Sequence, residues 1–224
     1  MHTTPDTAYR NRMTTNIYID GFNLYYGRLK NSPDLKWLDP VSLCEKLLPA
    51  GRRIKRVRYF TARITPRPDD PGGPRRQDAY LRALGALPQV SLHYGRFQQT
   101  TPRMRLAAPP PGGPVTVQVV KTEEKGTDVH IASQMLLDAF RKDCELVVLV
   151  SNDSDLCEPL RIVKEELGVP IGILNPFDKP SRWLKQLRPL FIKPIRDGAV
   201  RASQLRDPFP LGGGAEVHRP KEWA

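Results

Sequence analysis

The sequence predicts an α/β fold on a mainly parallel sheet. Three observations carry that prediction. Strand-like and helix-like segments alternate along the chain, the pattern of βαβ units. Leu146–Val150 is an unbroken apolar run, as strands are when both faces of a sheet are covered, and residues 169–174 read as another buried strand. The chain has 224 residues, 39% hydrophobic and 26% charged. That suits one globular unit able to bury about 70% of its unfolded surface.

The elements follow in order. Residues 16–20 are a β-branched and aromatic run, the first strand. Residues 41–48 read as a helix, and 54–64 as a strand with Val57 and Tyr59 on one period. Residues 75–87 form a helix with Ala79, Leu81, Ala83, Leu84 and Leu87 as its stripe. Strands at 90–97 and 115–121 flank a proline-rich loop. Residues 127–142 are the clearest helix, 145–150 a buried strand, 154–167 a helix closed by Gly168, and 169–174 a last buried strand. Ten of the 23 prolines fall between positions 66 and 114, so 66–74 and 108–114 read as loops. The glycine-rich end from Leu211 reads as a disordered tail.

Composition removes several classes. The cysteines, Cys44, Cys144 and Cys157, are too few and too scattered for a disulfide framework or a zinc site, and fit a reducing compartment. No apolar run approaches the roughly 20 residues of a membrane span. The first fifteen residues are polar, without the apolar centre of a signal peptide, and Met13 is an alternative start. The expectation is a cytoplasmic protein with no membrane partner. The net charge of +11 points to a polyanion. It is unevenly placed. Residues 51–105 hold thirteen Lys or Arg and three Asp or Glu, a net of +10, whereas 123–166 hold five and eleven, a net of −6.

In a parallel sheet, sites form beyond the carboxyl ends of the strands. Asp20 ends the first strand, in Ile17-Tyr-Ile-Asp-Gly-Phe-Asn. Asp153 and Asp155 follow a buried strand, in Val150-Ser-Asn-Asp-Ser-Asp-Leu. Asp128 opens the clearest helix in register with Ile131, Ala132, Met135 and Ala139, so it points toward the sheet edge. Taken singly, each has a plain structural role. Asp20-Gly is a turn, and Asp128 and Asp155 suit N-cap or first-turn positions. Together they repel: at about 4 Å each pair costs roughly 4 kcal/mol at an effective dielectric near 20. A hard divalent cation relieves that, and oxygen ligands select Mg²⁺ or Mn²⁺ over zinc. Glu123 and Glu124 read as a solvated pair.

Tyr18-Ile-Asp-Gly-Phe-Asn-Leu-Tyr-Tyr, Glu124-Lys-Gly-Thr-Asp-Val and Val150-Ser-Asn-Asp-Ser-Asp-Leu resemble the signature blocks of the NYN domain, in its LabA-like branch of the PIN-like nucleases. Gly172-Ile-Leu-Asn-Pro and Ala202-Ser-Gln-Leu-Arg-Asp extend the likeness. It spans residues 15–207, leaving a disordered N-terminus at 1–14 and a flexible tail at 208–224. The resemblance implies a Rossmann-like α/β/α sandwich and a Mg²⁺- or Mn²⁺-dependent endoribonuclease. It makes Asp20, Asp128, Asp153 and Asp155 the catalytic and metal-binding set. Asn23, Ser151 and Asn152 would line the substrate side and shape the loop holding Asp153. Family patterns often have Gly where Asn152 stands. The segment 98–114 is an insertion.

Arg58, Arg63, Arg75, Arg76, Arg82 and Arg96 are expected to grip the phosphate backbone, and Tyr25, Tyr26 and Phe97 to stack bases or pack in the core. RNA is the expected partner, with DNA second, and a homodimer is the prior for oligomeric state. His2, His93, His130 and His218 show no catalytic spacing. No Walker A pattern is present, and Phe22 stands where a haloacid dehalogenase-type phosphatase needs its second Asp. The rival reading is an RNA- or protein-binding regulatory module with little catalysis. It leaves four acids in a phosphate groove unexplained.

Overall fold

The computed structural model describes residues 13–224, so the expected disordered stretch at 1–14 lies outside it except for Met13 and Thr14, which open the first strand. Six strands form one all-parallel sheet. They are β1 (Met13–Asp20), β2 (Arg52–Thr61), β3 (Val90–Tyr94), β8 (Leu146–Val150), β9 (Ile171–Asn175) and β10 (Ile192–Pro194). Their order across the sheet is β3-β2-β1-β8-β9-β10. The chain winds outward from β1 on one side, then restarts at β8 and winds outward on the other. That reversal between β1 and β8 is the switch point at which doubly wound folds open a crevice at the strands' carboxyl ends.

Each central strand buries alternate residues in two different cores. Ile17, Ile19, Val57, Tyr59, Val148 and Val150 belong to one cluster. It includes side chains of α2 (Pro40–Leu47) and α3 (Gly73–Gly85). Tyr18, Phe60, Val147 and Leu149 belong to the other. It includes Ile131, Met135 and Ala139 of α4 (Thr127–Phe140) and Leu160 of α5 (Cys157–Arg161). The result is a three-layer α/β/α sandwich, as expected, and it explains the unbroken apolar strands. Among the described residues no helix is long and apolar enough to cross a membrane.

Besides β10, which the sequence did not signal, three regions depart from expectation. After β1 the chain enters a helical stretch the sequence did not signal: α1 (Gly21–Leu24) runs into a π-helical turn at Tyr25–Leu29. The expected strand at 90–97 is two strands. β3 ends at Tyr94, and β4 (Arg96–Thr100) leaves the sheet to pair antiparallel with β7 (Lys121–Lys125). β5 (Arg103–Arg105) and β6 (Thr116–Gln118) continue the arm outward, with the proline-rich loop at its tip. Third, the expected flexible tail at 208–224 is a correction. Phe209–Gly212 (β11) and Ala215–Val217 (β12) form a hairpin, with Gly212, Gly213 and Gly214 all at positive φ. The glycines that read as disorder make the turn. Val217 docks in the core, and the Trp223 ring lies 6.1 Å from Tyr80. Two short helices, α6 (Arg182–Gln186) and α7 (Asp197–Arg201), complete the chain.

Candidate metal centre

β1 delivers Asp20 to the switch point. Asp20 pairs with Phe60 on the last rung to β2, and the last rung to β8 pairs Ile19 with Val150, which puts Asp20 level with Ser151 beyond β8. Asp20 is also the N-cap of α1. Its Oδ1 accepts the Asn23 N–H at 2.9 Å, and its Oδ2 accepts the Ser151 hydroxyl at 3.1 Å. The chain can turn there because position 21 is Gly, where a Cβ would lie 2.6 Å from the Phe60 carbonyl oxygen. Ser151 Oγ in turn accepts the Asp153 N–H at 3.1 Å, and Asn23 Oδ1 accepts the Asn152 N–H at 2.9 Å. Asp153 caps the short 3₁₀ turn Ser154–Leu156, accepting the Asp155 N–H at 2.9 Å. Asp128 comes from the first turn of α4, whose start is tied down by the Thr127 N–H on Glu124 Oε1 at 3.1 Å.

These loops bring one carboxylate oxygen each of Asp20, Asp128 and Asp153 to within 4.8 Å of one another. Asp20 is buried, Asp153 half-buried and Asp128 exposed. Burial is the main force raising the Asp20 carboxyl, with the Asp153 charge adding to it. Burial and then the charges of Asp20 and Asp153 push Asp128 up to about 6. Among the described residues no Lys, Arg or His forms an ion pair with any of the three. A cavity of about 410 Å³ opens over them, walled by Phe22, Phe97, Thr122, Glu124 and Phe177. Thr127 also lines it, and its buried Oγ1 has no protein partner. Oxygen-only donors, uncompensated negative charge and an orphaned hydroxyl fit a hard divalent cation. The three acids could hold a metal.

The remaining expected site residues fall differently. Asp155 is exposed in the 3₁₀ turn and outside the three-carboxylate group, although its charge adds to the rise at Asp128. Asn23, Ser151 and Asn152 bond to the acidic loops themselves. Asn152 Oδ1 accepts the Ser181 N–H at 2.7 Å, and its Nδ2 donates to the Lys179 carbonyl at 3.1 Å. They hold the acids in place, as expected of Ser151 and Asn152 for the loop carrying Asp153, and Asn23 also lines the cavity over the acids. Arg58 is a correction. Both faces of the sheet are covered, so this residue lies buried under α4, bidentate to Asp138 at 2.8 Å on each oxygen. Arg76 is held by Asp70 and Glu222, and Arg63 by Asp78 at 3.0 Å. Arg75, Arg82 and Arg96 are exposed.

Some of the surplus positive charge is therefore paired within the fold, and among the described residues only that of Arg58 is buried. Lys55 and Arg56 both pair with Asp143, just as Arg58 pairs with Asp138. His93 stacks on Phe60 at 4.8 Å, and among the described residues neither it nor His130 forms an ion pair with the acids. Sequence reasoning passed over Thr127 and the wall made by Phe22 and Phe177. It also took Glu124 for a solvated residue, whereas Glu124 ties down α4 beside the acids. The signal for Thr127 and Glu124 was present: Glu124-Lys-Gly-Thr-Asp has the three-residue reach of a side chain onto a helix start.

The NYN domain model matches residues 14–193. A curated relative, 6-hydroxy-3-succinoylpyridine 3-monooxygenase HspA of Pseudomonas putida (strain DSM 28022 / S16), is 29% identical over 238 residues. That alignment covers 94% of this chain and 75% of the relative. A solved protein of unknown function from Vibrio parahaemolyticus is 16% identical with a TM-score of 0.49, covering 88% of this chain and 98% of that one.

Proposed function

This chain belongs to the NYN domain family, a nuclease-like family, and we propose that it is a Mg²⁺- or Mn²⁺-dependent endoribonuclease acting at Asp20, Asp128 and Asp153. One observation carries the reading. Carboxylate oxygens from three separate elements converge within 4.8 Å at the sheet's switch point, and among the described residues no Lys, Arg or His pairs with them. A divalent ion held there supplies Lewis-acid polarisation of a phosphate and activation of a water. The chain's own part is positional. Ser151 and Asn23 fix both oxygens of Asp20, and Ser151 ties that residue to the backbone of Asp153. Asp155 stands beside the group and adds charge without joining it. Arg75, Arg82 and Arg96 are exposed and serve as phosphate contacts in this reading.

The test is cleavage of an RNA pool, with a matched DNA pool beside it. Cleavage is expected with Mn²⁺ or Mg²⁺ and is expected to stop with EDTA. Asp20→Asn or Asp153→Asn removes it. Cleavage that survives either substitution moves the site elsewhere.

A second reading follows from the curated relative's name together with an aromatic cavity next to the acids, described below. In it the substrate is a small pyridine-type ring. Saturable binding of 6-hydroxy-3-succinoylpyridine by a protein that cleaves no nucleic acid favours that reading over the first.

A further inference from the structure

A second cavity, of about 320 Å³, adjoins the acidic one. The two share Phe22, Tyr26, Arg67 and Phe97, so a molecule lying in both would pass a wall of aromatic rings and one cation. The shared wall begins two residues after Asp20, and is built by Phe22 of α1, Tyr26 of the π-helical turn that follows, Arg67 of the loop after β2 and Phe97 at the base of the β4–β7 arm. Its rings are arranged edge to face: Phe22 to Phe97 at 5.7 Å, Tyr25 to Tyr26 at 5.3 Å. Tyr80 and Trp223 close the back. Asp69 and Asp70 also line the cavity, with Arg76 tied to Asp70 and Glu222. Two cations remain. Lys36 lies 5.5 Å from the Tyr25 ring, and neither it nor Arg67 has an ion-pair partner among the described residues.

We propose that this cavity is a base subsite: it takes the unpaired nucleobase next to the phosphate held over Asp20, Asp128 and Asp153. The inference rests on the nuclease reading and names its substrate as single-stranded. Every base offers a π-face to such rings, and stacking tolerates any sequence. The volume stands at the lower end of the roughly 300–1,000 Å³ range of ligand pockets, enough for one ring system. A free aromatic acid would find a ring wall and a cation in Lys36, but would have no use for the joint into the acidic cavity. A strand uses both, with Arg67 at the joint beside its backbone.

The experiment is cut-site mapping with Mn²⁺ on a twelve-nucleotide RNA that carries one abasic nucleotide, moved one position at a time. Cleavage at the phosphate beside the abasic position should fall about tenfold, the worth of one stacked base, while cuts elsewhere persist. Tyr26→Leu, at a half-exposed ring, should fold normally, cut the intact RNA about tenfold more slowly and lose the distinction between intact and abasic positions. An unchanged cut pattern at every abasic position, with cleavage otherwise intact, overturns the base subsite and leaves the nuclease reading standing. No metal-dependent cut in any oligomer overturns both. Tyr26-dependent binding of a free pyridine carboxylic acid that oligonucleotides do not displace overturns the subsite in favour of a small-molecule pocket.

Discussion

Asp128 and Asp138 lie ten residues apart on α4, about 15 Å along its axis, in opposite electrostatic surroundings. Asp138 is buried and fully engaged. Arg58 grips both its oxygens, the Tyr18 hydroxyl donates to it at 2.7 Å, and Asn16 links it to Asp143 and so to Lys55 and Arg56. Asp128 is exposed, and the charges that most raise its carboxyl are carboxylates, Asp20, Asp153, Glu124 and Asp155. Acids at the first place have cations built in. Acids at the second have been left in want of one, at the fold's ligand edge. The difference separates a carboxylate that holds helix to sheet from a carboxylate kept for something that arrives from solution.

The largest effect expected is at the paired end. Arg58→Ala strands a buried charge on Asp138, and urea unfolding should show a loss of about 3–5 kcal/mol. Replacing the network together, Arg58→Met with Asp138→Leu and Tyr18→Phe so that the Tyr18 hydroxyl is not stranded, should recover most of it, since a buried pair adds little over apolar packing. A loss below about 1 kcal/mol for Arg58→Ala alone would erase the contrast. At the unpaired end, Asp153→Asn should cut the nuclease rate by about 100-fold or more, given that a bound ion supplies several kcal/mol of transition-state stabilisation. Its unfolding midpoint without metal should hardly move.

The third test concerns sign. A carboxyl raised to about 6 in the folded state contributes stability below its ordinary value of 3.8, and that contribution is lost as pH rises through 6. Asp128→Asn should therefore stabilise the metal-free protein at pH 8 by about 1 kcal/mol, after screening at an exposed group. The gain should vanish at pH 4, and Mn²⁺ should restore the advantage to the native residue. An equal gain at both pH values rules out charge repulsion as its source. The smallest effect is at the surface. RNA binding by the intact protein should weaken at least tenfold between about 50 and 200 mM salt, and Arg82→Ala should lower the salt slope by about one. A slope unchanged by Arg82→Ala removes this side chain from the phosphate contacts.

The site's acids were legible because strand-end carboxylates are local features: Asp20-Gly, the Gly126-Thr-Asp helix start and the loop after Leu146–Val150 all lie within a few residues of their signals. The partners of Arg58 were not. Asp138 is 80 residues away, and no pattern within β2 says that the face carrying Arg58 will be roofed by α4. Asp155 failed for a related reason. Its spacing from Asp153 suggests a shared role, yet the 3₁₀ turn leaves it exposed and outside the group. α1 was missed because Gly21, Gly27 and two adjacent tyrosines give no helical stripe, and β10 because three residues carry no period. The tail was misread because glycines mark a tight turn and a loose end alike until a docking residue such as Val217 is seen in place.

One rung of the arm has a wider meaning. Phe97 pairs with Glu124 across β4 and β7, and both face the acidic cavity's wall. Shifting that pairing by a single residue would put Gln98 or Glu123 there instead. Thr122, further out along β7, still lines that cavity, whereas no residue of 101–120 does. The molecule thus divides into a part whose length is fixed and a part whose length is free. Residues 101–120 can lengthen, shorten or be exchanged among descendants of this chain without disturbing the site's wall, which makes the arm's tip the natural place for lineages to diverge and for grafted recognition segments to be tried.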